Sequence, residues 1–487
     1  MKFVLYTAEG QGNKTMNIAD LAASAVKKIA DNHGKKLNRK MTAPEIPQAE
    51  AERLSGEVFN AGFAMKEVMP ESVTAKKFWL AGYRTGNLIT GVLDPLTVRA
   101  MWIGCGDGGV ILVSADLIGL TGYEVKLVRD RLADFTKKTN CKLVSVSCTH
   151  THASIDTVGY WGKLPATGKN KEYMEMVISS IAEVCVKAYE NRKEGKLYNG
   201  SIHVPEAISD GRMPYNIVND KLSRLRFVPA DGSEETWFLN YSAHPNTMGG
   251  DCSQVSADYP YFLREAINKE KKTNVLFAVG AIAAVNIADL DEDRRERTRK
   301  GGEILAKAAL SIDNDEELTT DITVVHQPYY APIANGVLSL MAIIKVCSAL
   351  KYPSKTSETG LALLTEMNHI QIGSKKILTI PGEAFTENIY GGYATKEESP
   401  NDEGPEINAT PLCEIVGDKN LEVFGVSNDM TGYMIPLNDF VLHPTQPYLS
   451  SVRDKYDRNH YHETNGLGKN IPHVMADVLR GMMAKIK

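Results

Sequence analysis

The sequence predicts an α/β protein, with a central, mostly mixed β-sheet flanked by helices. From about residue 57, short β-branched apolar runs alternate with amphipathic helical segments, the rhythm of strands and covering helices. The runs are four to six residues long, which fits buried strands rather than helices. The 487 residues are 43% hydrophobic and 24% charged, enough apolar material for a large core without disulfide or metal staples.

At the amino terminus, residues 17–32 carry helical apolar spacing, with Asn17 or Asp20 as candidate caps. Residues 35–52 are polar and hold two prolines, so residues 1–56 read as an N-terminal helical extension packed on a single domain, 57–487. The predicted strands are Val110–Ala115, Leu143–Cys148, Trp237–Tyr241, Asn274–Val279, Ile377–Ile380 and Leu421–Val426. Helical patterns lie between several of them, at Tyr123–Thr139, Lys171–Glu190, Tyr259–Lys271 and Asp291–Ser311. Gly336–Leu350 is the longest apolar stretch. Lys345 interrupts it, and it falls short of the roughly 20 residues of a bilayer span, so no transmembrane segment is expected. It reads as a core helix, the alternative being an apolar wall for a lipid tail. Residues 395–420, rich in charge, Pro, Gly and Asn, read as a long surface loop, with an active-site lid as the alternative.

The formal net charge of -5 is spread along the chain with no basic stripe, which argues against nucleic acid as a partner. Seven cysteines form no CxxC pair and are odd in number, so reduced thiols are expected. The apolar run at Met1–Leu5 is too short for a signal-peptide core, and a cytoplasmic location is the expectation that follows.

The chemistry collects where the predicted strands end. Leu143–Cys148 runs into Thr149-His150-Thr151-His152, Trp237–Tyr241 into Ser242-Ala243-His244, and Ile377–Ile380 into Pro381-Gly382-Glu383. Leu421–Val426 leads to Asn428 and Tyr433, and Val110–Ala115 ends at Asp116. In open α/β sheets ligands bind beyond strand ends, so these side chains can converge. Extended chain puts His150 and His152 on one face. His150, His244 and Glu383 together form a donor set of the kind zinc uses. Each has an ordinary role too: a hydrogen-bonding pair, a histidine closing a strand, or an acid at a helix start.

The context of these residues resembles the neutral/alkaline ceramidase family. The resemblance runs in order over about residues 60–480: Ala81-Gly82-Tyr83, the segment Gly91 to Ala100, ILVSADL (111–117), THTH (149–152), Gly211-Arg212, and AHPNTM (243–248) with Ser256-Ala257-Asp258-Tyr259. It continues through PGE (381–383), Ser427-Asn428 to Gly432-Tyr433, and Tyr461-His462-Glu463. The resemblance implies that His150, His244, Glu383 and Tyr433 hold one Zn2+ ion, and that His152, Arg212 and Tyr461 contact the reacting carbonyl or the attacking water. Asp116 and Asp258 are candidates for orienting the histidines. The implied activity is hydrolysis of an amide in a small-molecule or lipid N-acyl substrate, with zinc-activated water as nucleophile.

Two departures bear on that implication. The family's Gly-Asp-Val-Ser-Pro-Asn loop, with its proposed serine nucleophile, is here Gly280 to Asn286, which contains Ala283 and Ala284 and no hydroxyl. The β-sandwich that usually follows the family's catalytic domain has no counterpart after Tyr461, which leaves N-acyl amides other than ceramide open as substrates. Competing readings are a metal amidohydrolase barrel, which also starts from HxH, and a non-catalytic metal-binding homologue.

Overall fold

The structure, a computed structural model, describes residues 18–212 and 215–486. Two β-sheets pack face to face with helices on both outer sides, so the central sheet expected from the sequence is doubled. The larger sheet has nine strands. Along its main path the order is Thr273–Val279, Glu235–Tyr241, Lys221–Pro229, Lys193–His203, Phe59–Glu67, Thr97–Cys105, Gly108–Ala115 and Cys141–Cys148. It is mixed: Gly108–Ala115 runs parallel to Cys141–Cys148 and Glu235–Tyr241 parallel to Thr273–Val279, while the other neighbours along that path are antiparallel. The parallel pairs are joined by helical crossovers, which parallel strands require. The sheet also curls: the Ser114 hydroxyl donates to the Phe277 carbonyl at 2.6 Å, joining strands far apart in sheet order.

The smaller sheet runs Ala51–Ser55, Asp321–Pro332, Leu361–Ile372, Lys375–Thr379 and Glu422–Phe424, with Lys351–Pro353 paired beside Leu361–Ile372. Strand alternation divides its side chains between two cores. Val324, Ile370, Ile377 and Phe424 face the larger sheet's Met101, Leu112, Phe238 and Leu276. Phe238 and Phe424 stack across this interface at 4.8 Å. Val325, Met367, Leu378 and Val423 face the other way, onto the C-terminal helix Ile471–Met483. The larger sheet's outer face, with Trp102, Ile111, Trp237 and Phe277, is covered by the helices Gly122–Arg131, Lys171–Glu190, Tyr259–Glu270 and Arg294–Leu310. A mixed two-sheet arrangement is not a ring of parallel strands, which removes the amidohydrolase barrel.

Several boundaries differ from the sequence expectation. The Tyr123–Thr139 helix is two helices, Gly122–Arg131 and Ala133–Thr139, broken at Leu132. The first helix is Ile18–Lys40, running past residue 32, with Asn17 outside the described residues. Its continuation rests on tertiary packing, because a Cβ on Gly34 would lie 2.1 Å from the Thr359 carbonyl oxygen, so only glycine fits there. Ala51–Ser55, within the segment read as an extension, is an edge strand of the smaller sheet, antiparallel to Asp321–Val325. Residues 395–420 are not wholly a solvated loop: they include the helix Leu412–Val416, whose Leu412, Cys413 and Val416 are buried. Among the described residues, no helix is long and apolar enough to cross a membrane.

Candidate active site

One cavity of about 620 Å³ opens where the strand ends meet, within the size range of small-molecule sites. His150, His152, His244, Glu383, Tyr433 and Tyr461 all lie on its wall, although they come from five separate stretches of chain. His150 sits two residues past Cys141–Cys148 with φ of +63°, a left-handed conformation that turns its ring into the cavity. His244 follows Glu235–Tyr241 and bridges in parallel to Asn286. Glu383 and Tyr433 are direct register partners in a short parallel pair, which sets their side chains on the same face.

The hydrogen bonds decide which nitrogen of each imidazole is free. His150 Nδ1 lies 2.6 Å from the Ile118 carbonyl and His244 Nδ1 lies 3.1 Å from the Val285 carbonyl. A carbonyl oxygen only accepts, so both Nδ1 atoms carry the proton, and in the neutral rings both Nε2 lone pairs are bare. Those Nε2 atoms point at one carboxylate oxygen, Glu383 Oε2, at 3.4 Å from His150 and 2.9 Å from His244. Three acceptors facing each other in a buried site repel unless a proton or a cation lies between them. Burial favours the neutral Glu383 carboxyl, but positive charge on the His150 and His244 side, the proton or cation this arrangement calls for, outweighs it and holds the group well below the usual carboxylate range.

His152 completes the cluster. The ligand nitrogens of His150, His152 and His244 lie within 4.8 Å of one another, so the three could hold a metal ion. Both ring nitrogens of His152 are buried without a hydrogen-bond partner. Burial, then the neighbouring His150 and His244, pushes its pKa well below the ordinary value, so the ring is neutral. Its backbone is pinned by a bond from its amide to the Pro245 carbonyl at 2.9 Å. Gly82, at φ +118°, backs directly onto it: a Cβ there would sit 2.6 Å from the His152 Cα. Burial, then the charge of Glu383 and contact with Tyr461, keeps the Tyr433 phenol protonated, well above its ordinary pKa.

Three expected residues stand elsewhere. Arg212 is off the cavity wall: its guanidinium donates to Asp210 at 2.9 Å, Glu387 at 2.8 Å and Asp439 at 3.2 Å, and it lies over the Phe385 ring. Asp116 is paired with Arg264 at 2.8 Å and takes a 2.6 Å bond from the Thr97 hydroxyl, not from a histidine. Asp258 caps the helix Tyr259–Glu270 and accepts from the Thr247 hydroxyl at 2.7 Å; burial pushes its pKa up to about 6. Both aspartates serve the framework that carries the strand ends, one shell further out than the sequence placed them.

The wall also holds residues the sequence analysis did not single out. Tyr83 packs edge-on against His152 and donates to the Asn246 carbonyl at 2.7 Å, while the Asn246 amide donates to Asn286 at 2.8 Å. All three lie in or beside segments already noted, the AGY, AHPNTM and alanine-containing loops, so proximity to the histidines was the available signal. Ala284 contributes a methyl group to the wall, and no serine lines the cavity among the described residues. The far side is apolar. Leu338 and Ala342 from the helix Gly336–Ile343 and Cys347 and Ala349 beyond it line it, so the stretch read as a core helix is also a cavity wall. No residue of 395–420 lines the cavity.

No protein-family model and no curated protein matches the sequence. Solved structures do match in fold. A neutral ceramidase from Pseudomonas aeruginosa superposes with a TM-score of 0.67 at 14% identity, over 88% of this chain and 74% of that one. A ceramidase complexed with C2 gives 0.65, also at 14% identity, over 88% and 75%. The chain has the neutral-ceramidase fold.

Proposed function

We propose that this chain is a zinc-dependent hydrolase that cleaves an N-acyl amide bond with water as the nucleophile. The observation that carries the reading is the convergence of His150 Nε2 and His244 Nε2 on Glu383 Oε2 at one buried point, an arrangement that calls for a cation or proton between them. Nitrogen and carboxylate donors with a cavity beside them fit a catalytic zinc site, which keeps one position open. His150, His244 and Glu383 would hold the ion, with Tyr433 alongside. When bound, such an ion supplies a lowered pKa for water and polarisation of the amide carbonyl.

The chain's own groups do the rest. His152, neutral and with two unpartnered nitrogens, takes a proton from the attacking water and delivers it to the departing nitrogen. Tyr461, at the cavity mouth beside Tyr433, is a donor for the oxyanion that forms on the carbonyl, a contribution of about 2.7–4 kcal/mol per donor in comparable sites. Arg212 acts from behind, holding Glu387 and Asp439 under Phe385, whose ring packs on Tyr433. The apolar far wall suits the acyl group. Seven unpaired cysteines support a reducing, cytoplasmic setting for the same reading.

The test combines metal analysis with hydrolysis assays on N-acyl amides. About one zinc per chain is expected, lost together with turnover in His150→Ala. His152→Ala keeps the metal and loses on the order of 10²–10⁴ in rate. Loss of the metal in His152→Ala instead makes that ring a third imidazole ligand, and undiminished amide hydrolysis by chelator-treated protein ends the proposal.

A further inference from the structure

The cavity wall is electrically lopsided. Among the described residues lining it, Glu383 is the one carboxylate and is buried against the imidazoles, whereas Arg84 is the one Lys or Arg side chain, exposed and in no ion pair. Arg84 is not alone at this edge. The Arg294 guanidinium lies against Gly249, at φ +71°, where a Cβ would be 1.9 Å from its Nη1, so bare backbone makes room for it. Tyr83, adjacent to Arg84, has its ring 3.5 Å from where a Cβ of Gly250 would stand. Arg294, close enough to Tyr83 to act on its phenol, forms no ion pair with a described residue, in a chain whose overall charge is -5. Beside them the Asn286 amide nitrogen is uncommitted, since Asn286 uses only its oxygen, toward Asn246.

We infer that this rim is an anion subsite, and that the substrate is an N-acyl amide whose amine portion carries a carboxylate, as in an N-acyl amino acid. The inference rests on the hydrolase reading above and deepens it. The acyl chain lies along Leu338, Ala342 and Ala349, and the scissile carbonyl sits at the histidines. The carboxylate beyond the nitrogen reaches Arg84, whose planar guanidinium suits it. The reaction balances without an oxidant: the oxygen of water bonds to the acyl carbon, the C–N bond breaks, and the nitrogen takes a proton. A fatty carboxylate and a free amino acid leave.

The test compares N-lauroylglycine with N-lauroylethanolamine, which differ in the anionic end. In the wild type kcat/KM favours N-lauroylglycine, and the preference shrinks as salt rises. Arg84→Gln lowers the ratio of the two kcat/KM values by about tenfold, Arg84→Lys by less, and Arg84→Gln with Arg294→Gln by more. Calorimetric binding of both amides to chelator-treated protein reads the subsite without turnover, and the same ordering is expected there. A ratio that is unchanged by all three variants, in turnover and in binding, overturns the subsite. Failure to hydrolyse either amide while the binding preference persists counts against the hydrolase reading alone.

Discussion

His150 at φ +63°, Asp258 at +56°, Ala284 at +61°, Val426 at +46° and Asn428 at +63° all lie in the left-handed region, which disfavours residues with a Cβ. Each stands within a few residues of a strand end near the cavity, so the turns that aim the donors are held against local preference by surrounding bonds. Asn428 shows how. Its side-chain oxygen accepts the Val146 amide at 2.8 Å and its nitrogen donates to the Ser145 hydroxyl at 3.1 Å, tying the turn to the strand that leads to His150. Asn428→Ala orphans a buried amide and puts alanine at positive φ. A loss of ~2–4 kcal/mol is expected in denaturant unfolding, with a matching drop in metal affinity measured by competition with a chelator. His150, His244 and Glu383 were legible because each directly follows an apolar run. Tyr83, Asn246 and Asn286 were not, since their role depends on which loops meet, and no local pattern encodes that. Arg212 illustrates the converse: its type fits an oxyanion, but three nearby carboxylates claim it.

At the scale of elements, the helix Gly122–Arg131 is joined to the smaller sheet by one ion pair. Arg129 donates to the Val144 carbonyl at 2.8 Å and to Glu366, on Leu361–Ile372, at 2.6 and 2.7 Å. Burial raises the Glu366 carboxyl, but Arg129 overrides it and brings the pKa from 4.5 down to about 2. A carboxyl with a depressed pKa in the folded protein adds stability above its unfolded pKa and loses it as pH falls. The contribution of about 3 kcal/mol is therefore present above about pH 4.5 and gone near pH 2. Glu366→Gln is expected to lower stability at pH 7 and to flatten the acid limb of unfolding between those pH values, followed by circular dichroism. The strand cores were readable to within a few residues: Leu143–Cys148 is Cys141–Cys148, and Asn274–Val279 is Thr273–Val279. Helix ends were less so. The break at Leu132 leaves the apolar spacing intact, and Leu412–Val416 is a five-residue helix inside a polar run, which burial against the C-terminal helix fixes.

For the whole molecule, the fold class was visible in alternation alone, whereas the division into two sheets was not. Val324 and Val325 are adjacent and alike, yet one faces the larger sheet and the other the C-terminal helix. A strand buried on both faces reads as a continuous apolar run whichever layers enclose it. On the proposed reading, the doubled sheet makes metal binding a property of the assembly: His150 and His244 follow strands of the larger sheet, and Glu383 follows a strand of the smaller one. An ion gripped by both stabilises their docking. Zinc at 100 times its dissociation constant is expected to add about 2.7 kcal/mol to the metal-free protein, read as a raised unfolding temperature in calorimetry, and His150→Ala abolishes the increment.

Glu383 follows His244 by 139 residues along the chain, and Tyr433 comes later still. On the proposed reading, a ribosome-bound fragment that has finished its first layer owns imidazoles but no acid to match them, so metal capture waits until the second layer has been made. Loading then marks a molecule whose halves have already met.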